Sequence, residues 1–508
     1  MQLSFQDHQK RYAIAEIALM RQRKLLVCLS ALSFLMIAAG LSTISLAGIS
    51  MGYVDKAIAQ SVASQMKLKN GSLLFNQWSA PEIDLYHDYY FFNWTNPGEF
   101  IYGQKPSFVA VGPYKFREVR VKEDITHSED ECLVTYRQRK YYTFDQEATG
   151  SKLSENDVIV SLNLPLVAAA EKTSSFFGES VLDGLIYLTG SKLYKKLKVK
   201  ELIWGYSDSF IRRLQNLGFY SASSFSIHST SNSSMKLSTV HTGVCIPSKI
   251  GQYQVWEGNS SLTIWRDDYA NMINGTEGLV FQPLVEEKDI LQIFVDEMIR
   301  PLSIKFRGDK PSHKGIKTYR FAIPASELEN STMNPENARF YQNGPSGLFF
   351  LGNSTDPKGL GIYASLPHFL YGDHCLITNV SGLNPQEDLH MSYGDIEPIT
   401  GATLATHSRL QVNYLLKQNS VTYFRRIPDI TYFPLFYIDV TGEVSDAMAT
   451  DFRRKLDLVD TAKSISWAGM ISGFALFVAG LTGIFCLCMK WRSHLQSPKP
   501  GYITLGRD

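Results

Sequence analysis

Apolar and charged positions fall in blocks along this chain. No charged residue occurs from Leu25 to Val54, nor from Ser464 to Met489. At 1.5 Å per residue such runs make helices of roughly 40 Å or more, against ~30 Å for a bilayer core. Between them the pattern is mixed. Asp55–Leu68 continues the first run as a helix, which Asn70-Gly71 ends. Alternating segments predict strands over Leu85–Trp94, Ser107–Val111, Tyr114–Val121, Cys132–Phe144 and Val158–Leu162, with turns at Asn96-Pro97-Gly98 and Gly112-Pro113. From 165 to 217 the spacing turns helical: Ala168, Ala169 and Ala170, then Phe176, Phe177, Val181, Leu182, Leu185 and Ile186, continuing through Leu193, Leu197 and Leu202. After Ser221 short strands run to Val440, interrupted by expected helices at Glu286–Met298 and Asp446–Lys463. The simplest organisation is one large α+β ectodomain with a helical insertion.

The flanking charges orient the two runs. Arg21, Arg23 and Lys24 precede the first, and Lys490 and Arg492 follow the second. Positive residues stay on the cytoplasmic side, so the expected layout is a tail at 1–24, a span at 25–54, an ectodomain at 55–463, a span at 464–489 and a tail at 490–508, with both termini cytosolic. A cleaved leader ending at Ser45-Leu46-Ala47 is the rival reading, but leader apolar regions run to ~7–15 residues and this one is about twice that. Glycosylation sequons support the layout: Asn70, Asn93, Asn232, Asn259, Asn274, Asn330, Asn353 and Asn379 all lie between the spans. Cys28, Cys486 and Cys488 sit at the cytosolic mouths and are candidates for palmitoylation, with ordinary apolar helix positions the equal alternative. The ectodomain keeps Cys132, Cys245 and Cys375, which allow at most one bridge and leave one thiol spare.

The net charge is +1 over 508 residues, and the excess positive charge sits in the tails. The ectodomain is net acidic, so no nucleic-acid partner is expected. It lacks a Gly-x-Ser-x-Gly elbow, His-Glu-x-x-His, a phosphate loop and Cys-x-x-Cys, and no catalytic, metal or cofactor site is expected. Cys486-Leu487-Cys488 has the wrong spacing for zinc. Asp395, Glu397 and His390 form the most suggestive polar cluster, and turn and salt-bridge roles are the reading they favour.

Several unbroken stretches resemble one family. They are Asn93-Trp94-Thr95-Asn96-Pro97-Gly98-Glu99-Phe100, Val111-Gly112-Pro113-Tyr114-Lys115-Phe116-Arg117-Glu118, Glu201-Leu202-Ile203-Trp204-Gly205-Tyr206, Met272-Ile273-Asn274-Gly275-Thr276 and Leu366-Pro367-His368-Phe369-Leu370-Tyr371. The most specific runs from Gly382-Leu383-Asn384-Pro385 through Tyr393-Gly394-Asp395-Ile396-Glu397-Pro398-Ile399-Thr400-Gly401 to Leu410-Gln411-Val412-Asn413. These are similar to blocks of the class B scavenger receptors, the group of fatty acid translocase, the high-density-lipoprotein receptor and the lysosomal integral membrane protein that carries glucocerebrosidase. The resemblance implies an antiparallel β-barrel core with a hydrophobic tunnel and an apical helical bundle, which 165–217 would supply. The family's clustered cysteines are not kept: Met298 and the region around Ala270 stand in their place, which puts a disulfide-pinned face in doubt.

The resemblance also assigns candidate sites. Lys192, Lys195, Lys196, Lys198 and Lys200 would form an apical basic cluster that receives anionic lipids, although lysine runs are usually a solvated helix face. Phe176, Phe177, Leu182 and Ile186 are candidate ligand contacts if the apex exposes them, and core otherwise. Gly501-Tyr502-Ile503-Thr504-Leu505 fits a clathrin-adaptor peptide, with Tyr502 and Leu505 filling separate pockets, and resembles lysosomal tails. The expected partners are fatty acids, phospholipids, sterols or lipoproteins. The expected function is a lipid-handling receptor at endosomes and lysosomes, with the cell surface as a second location. The alternatives are a cargo receptor for a lumenal hydrolase and, against the cysteine count, a two-span channel subunit.

Overall fold

The computed structural model describes residues 2–81, 83–173, 176–218, 227, 237–351 and 361–496. The chain divides into two units, 1–60 with 451–508 and 61–450. In the first unit, Gln9–Tyr53 and Lys463–Ser493 are long and apolar enough to cross a membrane; they belong to helices Gln2–Gln65 and Asp446–Gln496. The two helices run antiparallel along a seam of small residues. A Cβ added at Gly480 would lie 2.5 Å from Ile37, one at Gly473 2.9 Å from Ile44, and one at Gly469 3.3 Å from Ala47. Ser50 and Ser466 hydroxyls meet at 3.1 Å. Without a hydrophobic drive between helices in lipid, such close backbone approach and polar pairing are what hold spans together. Outside the seam, Leu35, Phe34, Ile471, Phe474 and Phe485 are exposed, as lipid-facing positions should be. Cys28, Cys486 and Cys488 are exposed on these helices.

The second unit is built on antiparallel strands: β1 Asp84–Trp94, β2 Phe108–His127, β3 Leu133–Phe144, β4 Val158–Leu162, β5 Tyr194–Lys198, β6 Ser238–His241, β7 Tyr253–Val255, β8 Ile290–Val295, β9 Arg300–Phe306, β10 Ser312–His313, β11 Ile316–Lys317, β12 Tyr319–Ala322, β13 Phe349–Phe350, β14 Ile362–Ser365, β15 Tyr393–Ile396, β16 Thr403–Lys417 and β17 Ile430–Glu443. The main sheet follows the order β7-β6-β3-β2-β1-β17-β16-β15-β12-β9-β8. Its two edges meet through one short segment. Tyr253 N–H donates to Gly275 O at 3.0 Å, Thr276 N–H to Gln292 O at 3.1 Å, and Phe294 N–H to Thr276 O at 2.9 Å. The sheet therefore closes into the expected barrel and leaves no free edge there.

Three expectations change. Gly112-Pro113 makes no turn: β2 runs through it, and the β1–β2 register shifts between Tyr89 and Phe91. Glu286–Met298 is not a helix, because Ile290–Val295 pairs with β9 as a strand; its Ile, Phe and Val content fits a pleated surface better than a helix. The 165–217 insertion is not all helix either. Leu164–Lys172, Phe176–Thr189, Val199–Trp204 and Ser209–Asn216 are helical, but Tyr194–Lys198 is a strand paired with β4. The apolar period there is two, Leu193 and Leu197 apart from Lys196 and Lys198, and the helical count skipped over it. The helix from Asp446 is as expected. Cys132 and Cys245 form a disulfide, and Cys375 remains an exposed thiol.

Candidate functional site

Strand β5 sorts the apical lysines by alternation. Lys196 and Lys198 are exposed, as is Lys192 just before the strand, whereas Leu197 is buried. Lys195 points the other way: its ammonium pairs with Asp208 and lies 4.8 Å from the Tyr206 ring centroid. Burial pushes Lys195 down to about 8. The candidate cluster is thus a strand face of Lys192, Lys196 and Lys198, and Lys195 is a positioning group for the Ser209–Asn216 helix, whose N-terminus Asp208 caps. Lys200, half-buried, follows on the Val199–Trp204 helix.

The helix Phe176–Thr189 has two faces. Leu182, Leu185 and Ile186 are buried in the core, so Leu182 and Ile186 hold the helix down and are not available as ligand contacts. Phe176 opens the helix. Phe177, Tyr187 and Leu188 are 78%, 87% and 74% exposed, an apolar surface of the kind that binds something.

The sequons also sort by placement. Asn70, Asn259 and Asn379 are exposed, and Asn274 and Asn330 are half-buried. Asn93 is half-buried on β1, and its side-chain carbonyl accepts from Val160 N–H at 2.8 Å, pinning β4 to the barrel. Asn232, Asn353, Gly501, Tyr502 and Leu505 lie outside the described residues.

A second candidate lies inside the barrel. A cavity of about 250 Å³ is lined by Ile83, just before β1, Leu85 and His87 of β1, Arg120 of β2, Gln138 and Lys140 of β3, and residues from β8, β9 and β15 to β17. Leu302, Ile304, Ile396, Leu404 and Val440 make one side apolar. The opposite wall is charged. Glu118, Arg120 and Lys122 follow one another at period two, so all three share the inner face of β2 with Phe116. Glu118 accepts from Arg120 Nε at 2.8 Å and lies 2.6 Å from His87 Nε2. Burial alone would raise Glu118, but Arg120 and His87 hold it far below the carboxylate range. Lys122, fully buried, lies 2.9 Å from Glu277 and donates to Trp78 O at 2.9 Å. At the mouth, Lys140 stands 3.9 Å from Asp296, and Trp256 Nε1 donates to Asp296 at 3.0 Å. Beyond His87 on the same face of β1, Tyr89 and Phe91 are buried against Phe116 and Tyr114, with ring centroids 5.5 and 5.9 Å apart. That aromatic packing separates the cavity from the helical insertion.

The Asp395, Glu397 and His390 cluster resolves into structural roles. Arg320 grips Asp395 with two bonds of 2.8 and 2.7 Å, and His313 adds a third. Glu397 accepts from Ile399 N–H, Thr400 N–H and the Thr400 hydroxyl, closing a turn. His390 stacks on His368 at 4.4 Å. His368 Nδ1 accepts from Asn384 N–H and His390 Nδ1 from Gln386 N–H, so both rings are held neutral. Burial pushes both down to about 4, with His390 burdening His368 and Arg409, itself paired to Asp439, burdening His390. A folded value below the unfolded ~6.5 means that this pair stabilises fully above pH ~6.5 and loses that contribution as pH falls toward 4. His390→Gln retains an acceptor for Gln386 and cannot titrate. It is expected to flatten the melting temperature between pH 6.5 and 4; Asp296, raised by burial to about 6, favours the fold in the opposite direction and is common to both proteins. Equal slopes for variant and wild type would refute the assignment.

Comparison with protein families matches residues 38–484 to the CD36 family. Lysosome membrane protein 2 of Homo sapiens is 28% identical over 82% of this chain and 87% of its own length. Scavenger receptor class B member 1 of Rattus norvegicus is 30% identical over 83% of this chain and 84% of its own, and that of Bos taurus 31% over 75% and 76%.

Proposed function

The chain belongs to the CD36 family, and on that premise we propose that it is a two-span lipid-binding receptor of endosomal and lysosomal membranes, with both termini cytosolic. The observation that carries this reading is the cavity, apolar on one side, inside a closed barrel. Burying an alkyl chain there gains ~0.8 kcal/mol per CH₂ without any chemical step. Anionic lipids or lipoproteins first meet Lys192, Lys196 and Lys198. Passage onward to the cavity requires Tyr89, Phe91 and Phe116 to move. The names of the relatives, a lysosome membrane protein and scavenger receptors, favour a receptor over an enzyme and the lysosome as a location. A lipid-extraction mass spectrum of the purified protein tests the reading: co-purified lipid is expected, and a lipid-free protein with an intact fold overturns it.

Two substitutions address the outer sites. Lys192→Gln, Lys196→Gln and Lys198→Gln together should weaken binding to anionic vesicles several-fold at low salt and less at high salt, because exposed charges contribute at most ~1 kcal/mol each and are screened. Unchanged binding at low salt would make them a solvated face. Tyr502→Ala should move the protein from lysosomes to the cell surface if the tail engages a clathrin adaptor; an unaltered distribution rejects that role.

A second reading, a receptor for a lumenal hydrolase, is favoured by one feature, the exposed Phe177, Tyr187 and Leu188. A protein partner would cover such a surface, and Tyr187→Asp would then abolish cargo retention while leaving vesicle binding intact.

A further inference from the structure

The sequons differ in whether the folded chain leaves them accessible. Asn259-Ser260-Ser261 is exposed at all three positions. In Asn274-Gly275-Thr276, Asn274 is half-buried, Gly275 is buried and Thr276 is 3% exposed. Thr276 is bridged on both sides, to Gln252 and to Ile293. Its N–H donates to Gln292 O, its carbonyl accepts from Phe294 N–H, and the Gly275 carbonyl accepts from Tyr253 N–H. The Thr276 hydroxyl oxygen accepts from Gly278 N–H at 3.0 Å. Gly275, the middle residue of the sequon, has φ +107°, with β8 backbone 2.8 Å from where a Cβ would stand. The sequon and the seam that closes the barrel are therefore the same residues.

An oligosaccharyltransferase reads a sequon as extended chain, through the Asn amide and the hydroxyl two residues on. In transfer, a bond forms between Asn Nδ2 and the anomeric carbon of a lipid-linked oligosaccharide. The bond from that carbon to the diphosphate oxygen breaks, the lipid diphosphate leaves, and Nδ2 gives up one proton. Drawing 274–276 out of the closed barrel would break the three backbone bonds that join β7 to β8 and open both strand edges. Asn274 keeps part of its surface in solvent, so the closed seam can bear a sugar that it could no longer accept. Resting on the reading of 55–463 as lumenal, we propose that Asn274 is a time-gated modification site. It receives its glycan only before the barrel closes, so transfer and closure compete for the same residues, whereas Asn259 stays open after folding. Closure cannot precede synthesis of β8, and at ~5–20 residues per second the chain from Thr276 to Val295 takes about 1–4 s. That is the least time the transferase has.

The test limits the transferase in cells that make the full-length protein, with graded doses of an oligosaccharyltransferase inhibitor, and reads occupancy at each sequon by glycopeptide mass spectrometry. Asn274 occupancy should halve at a dose at least about threefold below the one that halves Asn259. Gly275→Ala keeps the sequon but obstructs the seam, and it should bring the two doses within about twofold of each other; this readout does not require the variant to fold. Synthetic peptides of residues 268–280 and 253–265, given to purified transferase with lipid-linked oligosaccharide, rank the two sequons free of the fold, and the first should accept at least as well as the second. Parallel losses at the two sites, a Gly275→Ala protein that loses Asn274 at the wild-type dose, or a 268–280 peptide that is the poorer acceptor by the same factor overturns the gate while the lumenal assignment stands. Absence of glycan from every sequon in uninhibited cells overturns the lumenal assignment itself.

Discussion

Lys122→Met is expected to destabilise the ectodomain by about 3–5 kcal/mol, and Lys122→Met combined with Glu277→Gln to restore most of that loss. Lys122 is wholly buried, 4.6 Å above the Trp78 ring and 5.3 Å above Tyr136. Removing it leaves the Glu277 carboxylate in the barrel wall without its counter-charge, and an uncompensated buried ion typically costs ~3–5 kcal/mol. Neutralising both partners with side chains of similar volume removes the desolvation penalty together with the attraction, and such exchanges are often close to neutral. Chemical denaturation of the wild type, the two single variants and the double variant would give the coupling directly. Additive losses, with the double variant as unstable as the sum of the singles, would mean that Lys122 acts through packing against Trp78 and Tyr136 rather than through its charge.

The same residues mark where the sequence was legible and where it was not. The spans, β1, β3, β4 and the helix from Asp446 follow from runs and alternation that any solvent imposes. Barrel closure does not, because it rests on Gly275-Thr276, two residues too few to carry a period. At the apex, Lys195 and Lys196 look alike in sequence, and only the pairing of β5 with β4 assigns one to Asp208 and the other to solvent. The cavity wall had a signal that a helix-or-strand reading passes over. In β2, Glu118, Arg120 and Lys122 share a face with Phe116, while Val109 and Val119 are 55% and 48% exposed. An inverted alternation, charged inward and apolar outward, is what a strand shows when its inner face lines a polar-walled cavity. The buried Gln138 Oε1, which meets no hydrogen-bond donor among the described residues, has no counterpart in sequence, since it depends on what the neighbouring strands fail to offer.

Gly275→Val should be among the most damaging single changes in the ectodomain. Gly275 has φ +107°, and an added Cβ would lie 2.8 Å from Ile293 C, 2.9 Å from Phe294 N and 3.0 Å from Gln292 C. All three neighbours are backbone of β8, so no side chain can swing aside. Strain at such a φ costs about 1–3 kcal/mol and overpacking about 1–3 more. The larger consequence is topological: displacing 275–276 breaks the bonds that join β7 to β8, which opens two strand edges to intermolecular pairing. The expected phenotype is a protein that aggregates and fails to acquire mature glycans, with a sharply lower melting temperature for the residue that does fold. Gly278→Ala supplies the control. Its φ is +86°, but its nearest neighbour, the Ile293 Cγ2, is 4.0 Å from the added Cβ, so it carries backbone strain without the collision. Comparing Gly275→Ala with Gly278→Ala separates the two causes. A clearly larger loss at 275 assigns the cost to the closing contact, and equal losses would show that the barrel tolerates a Cβ at its seam.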